Sequence, residues 1–176
     1  IRVLFSIILL SGFFVSCKEQ PVASISLKEG WKFKTGDQPE WAQATYPDSD
    51  WKDISTGKLW EEQGYEKHDG YGWYRTHIII PSSLKTASFF NDSLVIFLDK
   101  IDDFDQTFLN GFPLGENATT VSADTKFSNT IAESPDAWET PRKYMLHAED
   151  SRINWDKENV IAIRVYDNGS GGGIYG

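Results

Sequence analysis

The chain has 176 residues, which is enough for one domain with a sizeable core. Hydrophobic residues make up 40% and charged residues 24%, ordinary values for a folded protein that argue against disorder. The net charge of −9 at pH 7 repels nucleic acid and anionic membrane surfaces, so neither is an expected partner of the folded domain. Aromatic residues reach 14%, with seven Trp, and can fill a core or line a groove.

Residues 1–17 have the order of a targeting segment: Arg2, an apolar stretch over Val3–Val15, and small residues before Cys17. The apolar stretch is shorter than the ~20 residues of a spanning helix, so we expect a signal peptide. Phe14-Val15-Ser16-Cys17 also resembles a bacterial lipoprotein signal, although such signals usually carry Leu where Phe14 stands. That resemblance implies lipidation of Cys17 and an exported protein held at the cell envelope by a lipid anchor. The alternative is a plain signal peptide with an incidental cysteine.

Residues 18–25 read as a polar tether, and residues 26–176 as one β-sandwich domain. The first residue is Ile rather than Met, and Gly176 follows a glycine run that enters a further strand. We therefore expect a fragment of a longer protein.

The domain contains about eight short strands separated by turn residues, without a long amphipathic helix. This pattern predicts an all-β fold, a two-sheet antiparallel β-sandwich of the jelly-roll type. The clearest predicted strands are 73–80, 94–98, 107–109 and 159–166. Asn110-Gly111 predicts a two-residue type I′ hairpin. The glycines of 169–173 predict a tight turn where side chains would collide. Residues 116–140 are polar and weakly patterned, which indicates a long loop.

Known catalytic motifs are missing from the sequence. It has no Gly-x-Ser-x-Gly elbow and no His-Glu-x-x-His, and the three His are dispersed. The acids show no sign of the paired arrangement that glycoside hydrolysis requires. We therefore predict no active site and no required cofactor in this chain.

Asp102, Asp103 and Asp105 form an acidic corner between two predicted strands. Three readings are open for it. Aspartates favour turns because they bond to nearby backbone amides, which is the reading the sequence favours. The carboxylates could also accept hydrogen bonds from sugar hydroxyls, or supply part of the 6–8 oxygens around a calcium ion.

Several aromatic residues pose a similar choice. Their faces can stack on a sugar ring or pack in the sandwich core. These residues are Trp60, Tyr65, Tyr71, Trp73 and Trp138. The core is favoured for each, except that Tyr65 and Tyr71 lie in a loop beside glycines and favour stacking.

Three groups of residues have the order and spacing of a known domain. The first is Trp60-Glu61-Glu62-Gln63-Gly64-Tyr65, with Asp69-Gly70, Trp73-Tyr74-Arg75 and Pro81. The second is Ile101-Asp102-Asp103, with Asp105, Asn110-Gly111 and Gly115. The third is Pro141-Arg142 with Tyr144, then Asn159-Val160-Ile161, Arg164-Val165, Asp167 and Gly172-Gly173-Ile174. Over Gly30–Gly176 the chain resembles the galactose-binding-like N-terminal domain of family 2 glycoside hydrolases, the β-galactosidase and β-glucuronidase group. It is also similar to the related domain of bacterial sialate O-acetylesterases.

The resemblance implies an accessory domain whose catalytic partner lies downstream in the parent chain. In the glycosidases a loop after the strand matching Val160–Tyr166 carries an acid that contacts sugar, and Asp167 matches it. An asparagine near the position of Trp73 has no counterpart here, and the glycines of 169–173 replace bulkier residues. The expected partner is carbohydrate. The ligand candidates are Tyr65, Asp69, Tyr71, Trp73, Asp102, Asp103, Asp105 and Asp167. The alternatives are an accessory domain of a sialate O-acetylesterase-like hydrolase and a stand-alone carbohydrate-binding or structural domain.

Overall fold

The computed structural model describes residues 24–87, 92–122, 124–126 and 129–176. The expected signal peptide with Cys17, and all of the expected tether except its last two residues, lie outside this part of the chain. The strands within the described ranges are β1 (Trp31–Thr35), β2 (Lys52–Ile54), β3 (Gly70–Ile79), β4 (Ser93–Asp99), β5 (Phe104–Leu109), β6 (Phe112–Glu116), β7 (Thr119–Thr120), β8 (Arg142–His147) and β9 (Glu158–Asp167). The helical elements are a short helix α1 (Leu84–Ala87) and 3₁₀ turns at Pro39–Ala42, Trp60–Gln63 and Ala137–Glu139.

The strands form two antiparallel sheets. The large sheet has the order β2-β1-β3-β9-β5-β6-β7, and the small sheet consists of β4 and β8. This confirms the predicted all-β sandwich. β7 and the turn at Ala137–Glu139 lie within 116–140, where no strand was predicted, because two residues are too few to show a period.

The core lies between the two sheets. β8 alternates strictly, with Arg142, Tyr144 and Leu146 buried and their neighbours exposed, as a strand with one solvated face should. β9 is buried on both faces. Its Ile161, Ile163 and Val165 join the main core, while Ala162 joins a second cluster on the opposite face. That double burial explains why β9 reads as a nearly continuous apolar run.

The second cluster is covered by the segment between β1 and β2. Trp41 and Trp51 of this segment pack against Trp73 and Phe108, whose rings stack 5.7 Å apart. Arg75 Nε bonds to the carboxylate of Asp48 at 2.8 Å and holds the segment in place. The large sheet is therefore packed on both faces.

Both predicted turns are confirmed. Asn110 and Gly111 have φ of 54° and 86°, as a type I′ hairpin requires, and Leu109 pairs with Phe112 across it. In the glycine run, a Cβ on Gly172 would lie 2.1 Å from the Trp60 ring, so no larger residue fits there. Among the described residues, no helix has the length and apolarity needed to cross a bilayer.

Candidate functional site

Three carboxylates meet at one edge of the sandwich, which we call the acidic edge. Asp102 and Asp103 lie in the connection that carries the chain from β4 in the small sheet to β5 in the large sheet. Asp167 ends β9, which pairs with β5. One carboxylate oxygen from each of the three lies within 4.8 Å of the others. The fold thus gathers acids that are far apart in the sequence.

Backbone amides orient two of these carboxylates. Asp103 Oδ2 accepts the Asn168 N–H at 2.7 Å, and Asp167 Oδ1 accepts the Gly169 N–H at 2.7 Å. Asp167 is 1% exposed, and its Oδ2 is buried without a hydrogen-bond partner. The edge therefore presents a buried oxygen with unused acceptor capacity.

The acids at this edge repel one another. Burial, followed by the charges of Asp103 and Asp167, raises the pKa of Asp102 to about 7. Burial also raises the pKa of Asp167, and the charges of Glu61, Asp103 and Asp69 act in the same direction. Asp69 is exposed and immediately precedes Gly70, which pairs with Asp167 across β3 and β9. A positive charge or a hydrogen-bond donor placed at this edge would therefore stabilise the ionised carboxylates.

A cleft of about 720 Å³ opens beside the acidic edge. Its lining combines carboxylates with two aromatic rings and one lysine. The lining residues are Gly57, Lys58, Leu59, Glu62, Asp102, Asp103, Trp138, Ser170, Gly171 and Tyr175. Trp138 is 45% exposed, and the Tyr175 hydroxyl donates to its backbone carbonyl. The cleft has the mixed apolar and polar lining of a small-molecule site.

The glycine run packs against the 3₁₀ turn at Trp60–Gln63 on one side of the cleft. The Trp60 N–H donates to the Gly172 carbonyl at 2.9 Å, and the Gly172 N–H donates to the Glu61 carboxylate at 3.1 Å. The Asp102 N–H donates to the Gly173 carbonyl at 2.9 Å. These bonds position the cleft wall through backbone contacts.

Asp105 lies apart from the acidic edge. It is fully buried within β5, and its Oδ1 accepts from Arg142 Nε at 2.6 Å. Its Oδ2 accepts from the hydroxyls of Thr107 at 3.0 Å and Tyr144 at 3.1 Å. This carboxylate links the two sheets, because Arg142 and Tyr144 belong to β8. It has no exposed surface with which to contact a ligand.

The aromatic candidates are divided between core and surface. Trp60 and Trp73 are 0% exposed, and Trp73 Nε1 donates to Asp37 at 3.2 Å. Tyr65 is half-buried against Phe33, with ring centroids 4.7 Å apart. Tyr71 is half-buried beside Tyr166. None of these four rings lines the cleft.

The rings that do line the cleft are Trp138 and Tyr175. Trp138 was among the aromatic residues that the sequence left between core and stacking, but neither it nor Tyr175 was a predicted ligand candidate. Trp138 lies in the weakly patterned segment 116–140, where nothing marked its position. Tyr175 follows the glycine run, and the predicted turn there was the one signal that pointed to it.

A second cavity, of about 550 Å³, lies along β4. Its walls include core residues such as Trp31, Leu94, Ile96 and Ile161. It is a gap at the margin of the hydrophobic core, with charged residues such as Lys28, Asp99 and Lys143 also among its lining.

Comparison with known proteins identifies the domain. The family model of the β-galactosidase second all-β domain matches residues 35–170. The chain belongs to this family. None of the curated proteins matches the chain.

Solved structures agree on the fold of the β-galactosidase-type domain. A family 2 glycosyl hydrolase from Bacteroides cellulosilyticus has a TM-score of 0.60 at 21% identity, covering 85% of this chain and 19% of that one. β-Glucuronidase 2 of Bacteroides uniformis has a TM-score of 0.59 at 21% identity, covering 86% and 17%. The β-glucuronidase of Bifidobacterium dentium has a TM-score of 0.53 at 19% identity, covering 81% and 19%. The chain therefore spans less than a fifth of each of these proteins.

Proposed function

We propose that the chain is a non-catalytic, carbohydrate-associated domain at the N-terminus of an exported, β-galactosidase-like glycoside hydrolase. The observation that carries the proposal is the cleft, which combines the exposed Trp138 ring and the half-buried Tyr175 ring with carboxylates in a chain of this family. Catalysis belongs to a downstream domain of the parent, and this domain contributes to holding the sugar.

Each side of the cleft suits one feature of a sugar. The exposed Trp138 ring can stack on the apolar face of a pyranose. The carboxylates of Asp102 and Asp103 can accept hydrogen bonds from hydroxyls, and bonds to charged acceptors are stronger than neutral ones. A galactoside supplies both an apolar ring face and hydroxyl donors.

The charge of the cleft favours a neutral sugar over a uronic acid. Glu62, Asp102 and Asp103 line it, while Lys58 is its one lining cation among the described residues. Two of the related structures are β-glucuronidases, whose names imply an anionic sugar. A carboxylate on the ligand would be repelled by three carboxylates in the cleft, so we expect this domain to prefer galactosides.

The test measures sugar binding to the full chain in EDTA, with a non-ionic detergent to keep the apolar Val3–Val15 segment in solution. Titration calorimetry with methyl β-galactoside should detect weak binding, and methyl β-glucuronide should bind at least tenfold more weakly. Trp138→Ala should weaken galactoside binding at least fivefold. Phe112→Ala is the control, because Phe112 is 51% exposed on β6 and is absent from the cleft lining. Equal binding of the two sugars, or no effect of Trp138→Ala, would contradict the proposal.

The proposed type of parent protein is tested by determining the coding sequence after Gly176. A barrel domain with two catalytic glutamates is the expected result. A serine hydrolase domain would instead support the sialate O-acetylesterase-like alternative, and a stop codon would leave a stand-alone domain.

The proposed location is the bacterial cell envelope, with a lipid anchor on Cys17. Cells labelled with a clickable palmitate analogue should give a labelled wild-type protein and an unlabelled Cys17→Ser variant. Equal labelling of both would overturn the anchor.

A further inference from the structure

We propose that the acidic edge binds a divalent cation, and that calcium is the cation it fits best. The ligands from this chain are the carboxylates of Asp102, Asp103 and Asp167. The inference rests on the geometry of the edge, whereas the sugar preference proposed above refers to the metal-free cleft, whose charge a bound cation would offset.

The first argument comes from ion pairing. Four carboxylates in the described part of the chain lie against an arginine. These pairs are Asp37–Arg164, Asp48–Arg75, Asp105–Arg142 and Asp150–Arg152, with N–O distances from 2.5 to 2.8 Å. Within the same ranges, no ion pair involves Asp102, Asp103 or Asp167. Three neighbouring carboxylates without an ion-pair partner are costly to hold together, and a bound metal ion would offset that cost.

The second argument is the free oxygen of Asp167. Asp167 is 1% exposed, and its Oδ2 has no hydrogen-bond partner. A buried carboxylate oxygen normally accepts at least one hydrogen bond, because leaving it unpaired costs about 1–3 kcal/mol or more. Its neighbours at the edge are two further carboxylates, which cannot donate when ionised. A cation is the partner that satisfies all three groups together.

The third argument is spacing. Calcium–oxygen distances of about 2.3–2.6 Å allow ligand oxygens on opposite sides of the ion to lie up to ~5 Å apart. Magnesium, at about 2.0–2.1 Å, draws them to ~4 Å and demands regular octahedral geometry. The three oxygens lie within 4.8 Å of one another, close enough for one ion to contact all three, and the flexible shell of calcium constrains their arrangement less than the octahedral geometry of magnesium does. The adjoining cleft admits the waters that would complete the 6–8 ligands.

Asp103→Asn is the most informative variant. Asp103 has φ of 46°, a conformation that Asn tolerates well, and the Asn oxygen can still accept the Asn168 N–H. The substitution removes the charge while keeping the local fold. Asp102→Asn removes a second charge from the same edge. Asp53→Asn is the matched control, because Asp53 is an exposed acid on β2 whose partner is Lys32.

The experiment is calorimetric titration of the full chain with CaCl₂ in the same detergent buffer, after removal of metal with EDTA and without sugar. We expect one calcium site, with magnesium binding at least tenfold more weakly. Asp103→Asn and Asp102→Asn should each weaken calcium binding at least tenfold, while Asp53→Asn leaves it unchanged. Circular dichroism in EDTA checks that each variant is folded.

Two results would overturn the inference: no calcium heat up to millimolar concentration, or unchanged binding in a folded Asp102→Asn/Asp103→Asn double variant. If a variant unfolds in EDTA, terbium luminescence of the wild type is measured instead. Saturable terbium emission that calcium displaces supports the site, and the absence of such emission refutes it. Because the sugar titration is done in EDTA and this one without sugar, either proposal can fail alone.

Discussion

Asp105 and the acidic edge are close neighbours in sequence and opposites in environment. Asp105 is completely buried, yet Arg142, Tyr144 and Thr107 supply its carboxylate with three hydrogen bonds. Asp102 and Asp103 are partly exposed, but they lie beside each other and Asp167 and form no ion pair among the described residues. A fully buried carboxylate can thus serve the architecture alone, while a group of acids without a basic partner indicates a place for a ligand.

The largest loss of stability is expected when Asp105 loses its arginine partner. Arg142→Met should lower the free energy of unfolding by about 3–5 kcal/mol, because an unpaired charge remains between the sheets. Urea denaturation followed by circular dichroism measures the loss. A loss below about 1 kcal/mol would mean that Asp105 does not depend on its partner.

A smaller effect is expected from Tyr144→Phe, which removes one hydroxyl and nothing else. Its bond to Asp105 is buried and 3.1 Å long, and hydrogen bonds to charged groups contribute about 1.5–3 kcal/mol. The negative charge of Asp105 and burial both raise the pKa of Tyr144, consistent with a hydroxyl that stays protonated. A thermal melt compared with wild type gives the change. If Tyr144→Phe leaves the stability unchanged, Arg142 and Thr107 alone are enough to stabilise the buried Asp105 carboxylate.

At the acidic edge, removing a charged group should raise the free energy of unfolding rather than lower it. Asp102→Asn should stabilise the metal-free chain by about 1 kcal/mol at pH 8, because solvent at this partly exposed site screens much of the repulsion. The folded pKa of Asp102 is about 7 and its ordinary value is 3.8, so wild type bears the full cost of its charge above pH 7 and none below pH 3.8. The variant's advantage should therefore grow as pH rises between these values. Denaturation in EDTA at several pH values checks this, and an advantage independent of pH would rule out the charge as its cause.

The smallest change in stability is expected for an exposed ion pair. Lys32→Met should change stability by less than about 0.5 kcal/mol, although Lys32 Nζ lies 2.6 Å from Asp53, because the Asp53 side chain is 88% exposed. The same denaturation assay measures it. A loss comparable with that of Arg142→Met would show that burial is not what separates the two ion pairs.

The sequence was a good guide to the strands and a partial guide to the site. β9 and the Asn110-Gly111 hairpin carry strong local signals, an apolar run and a turn dipeptide, and both were predicted. The acidic corner was grouped by sequence proximity as Asp102, Asp103 and Asp105. Asp105 is already inside β5, where its side chain faces the core between the sheets.

Asp167 takes the place of Asp105 at the edge because β9 pairs with β5. The pairing of Asp105 with Val165 brings the end of β9 beside the start of β5. No local pattern encodes this neighbourhood, which depends on strand order, and only the family resemblance pointed to Asp167. The same holds for Trp138, whose position beside the acids depends on how a long loop returns to the sheet.

The glycine run limits which positions of the cleft can change during evolution. Gly172 and Gly173 leave no room for a side chain, since an added Cβ would meet Trp60 at 2.1 Å and the Tyr74 hydroxyl at 2.5 Å. That wall is therefore closed to adaptation by point substitution. New ligand preferences can arise at exposed lining residues such as Lys58, Glu62, Trp138 and Ser170. A saturation library of the cleft should lose almost every variant at the two glycines and keep most variants at these four positions.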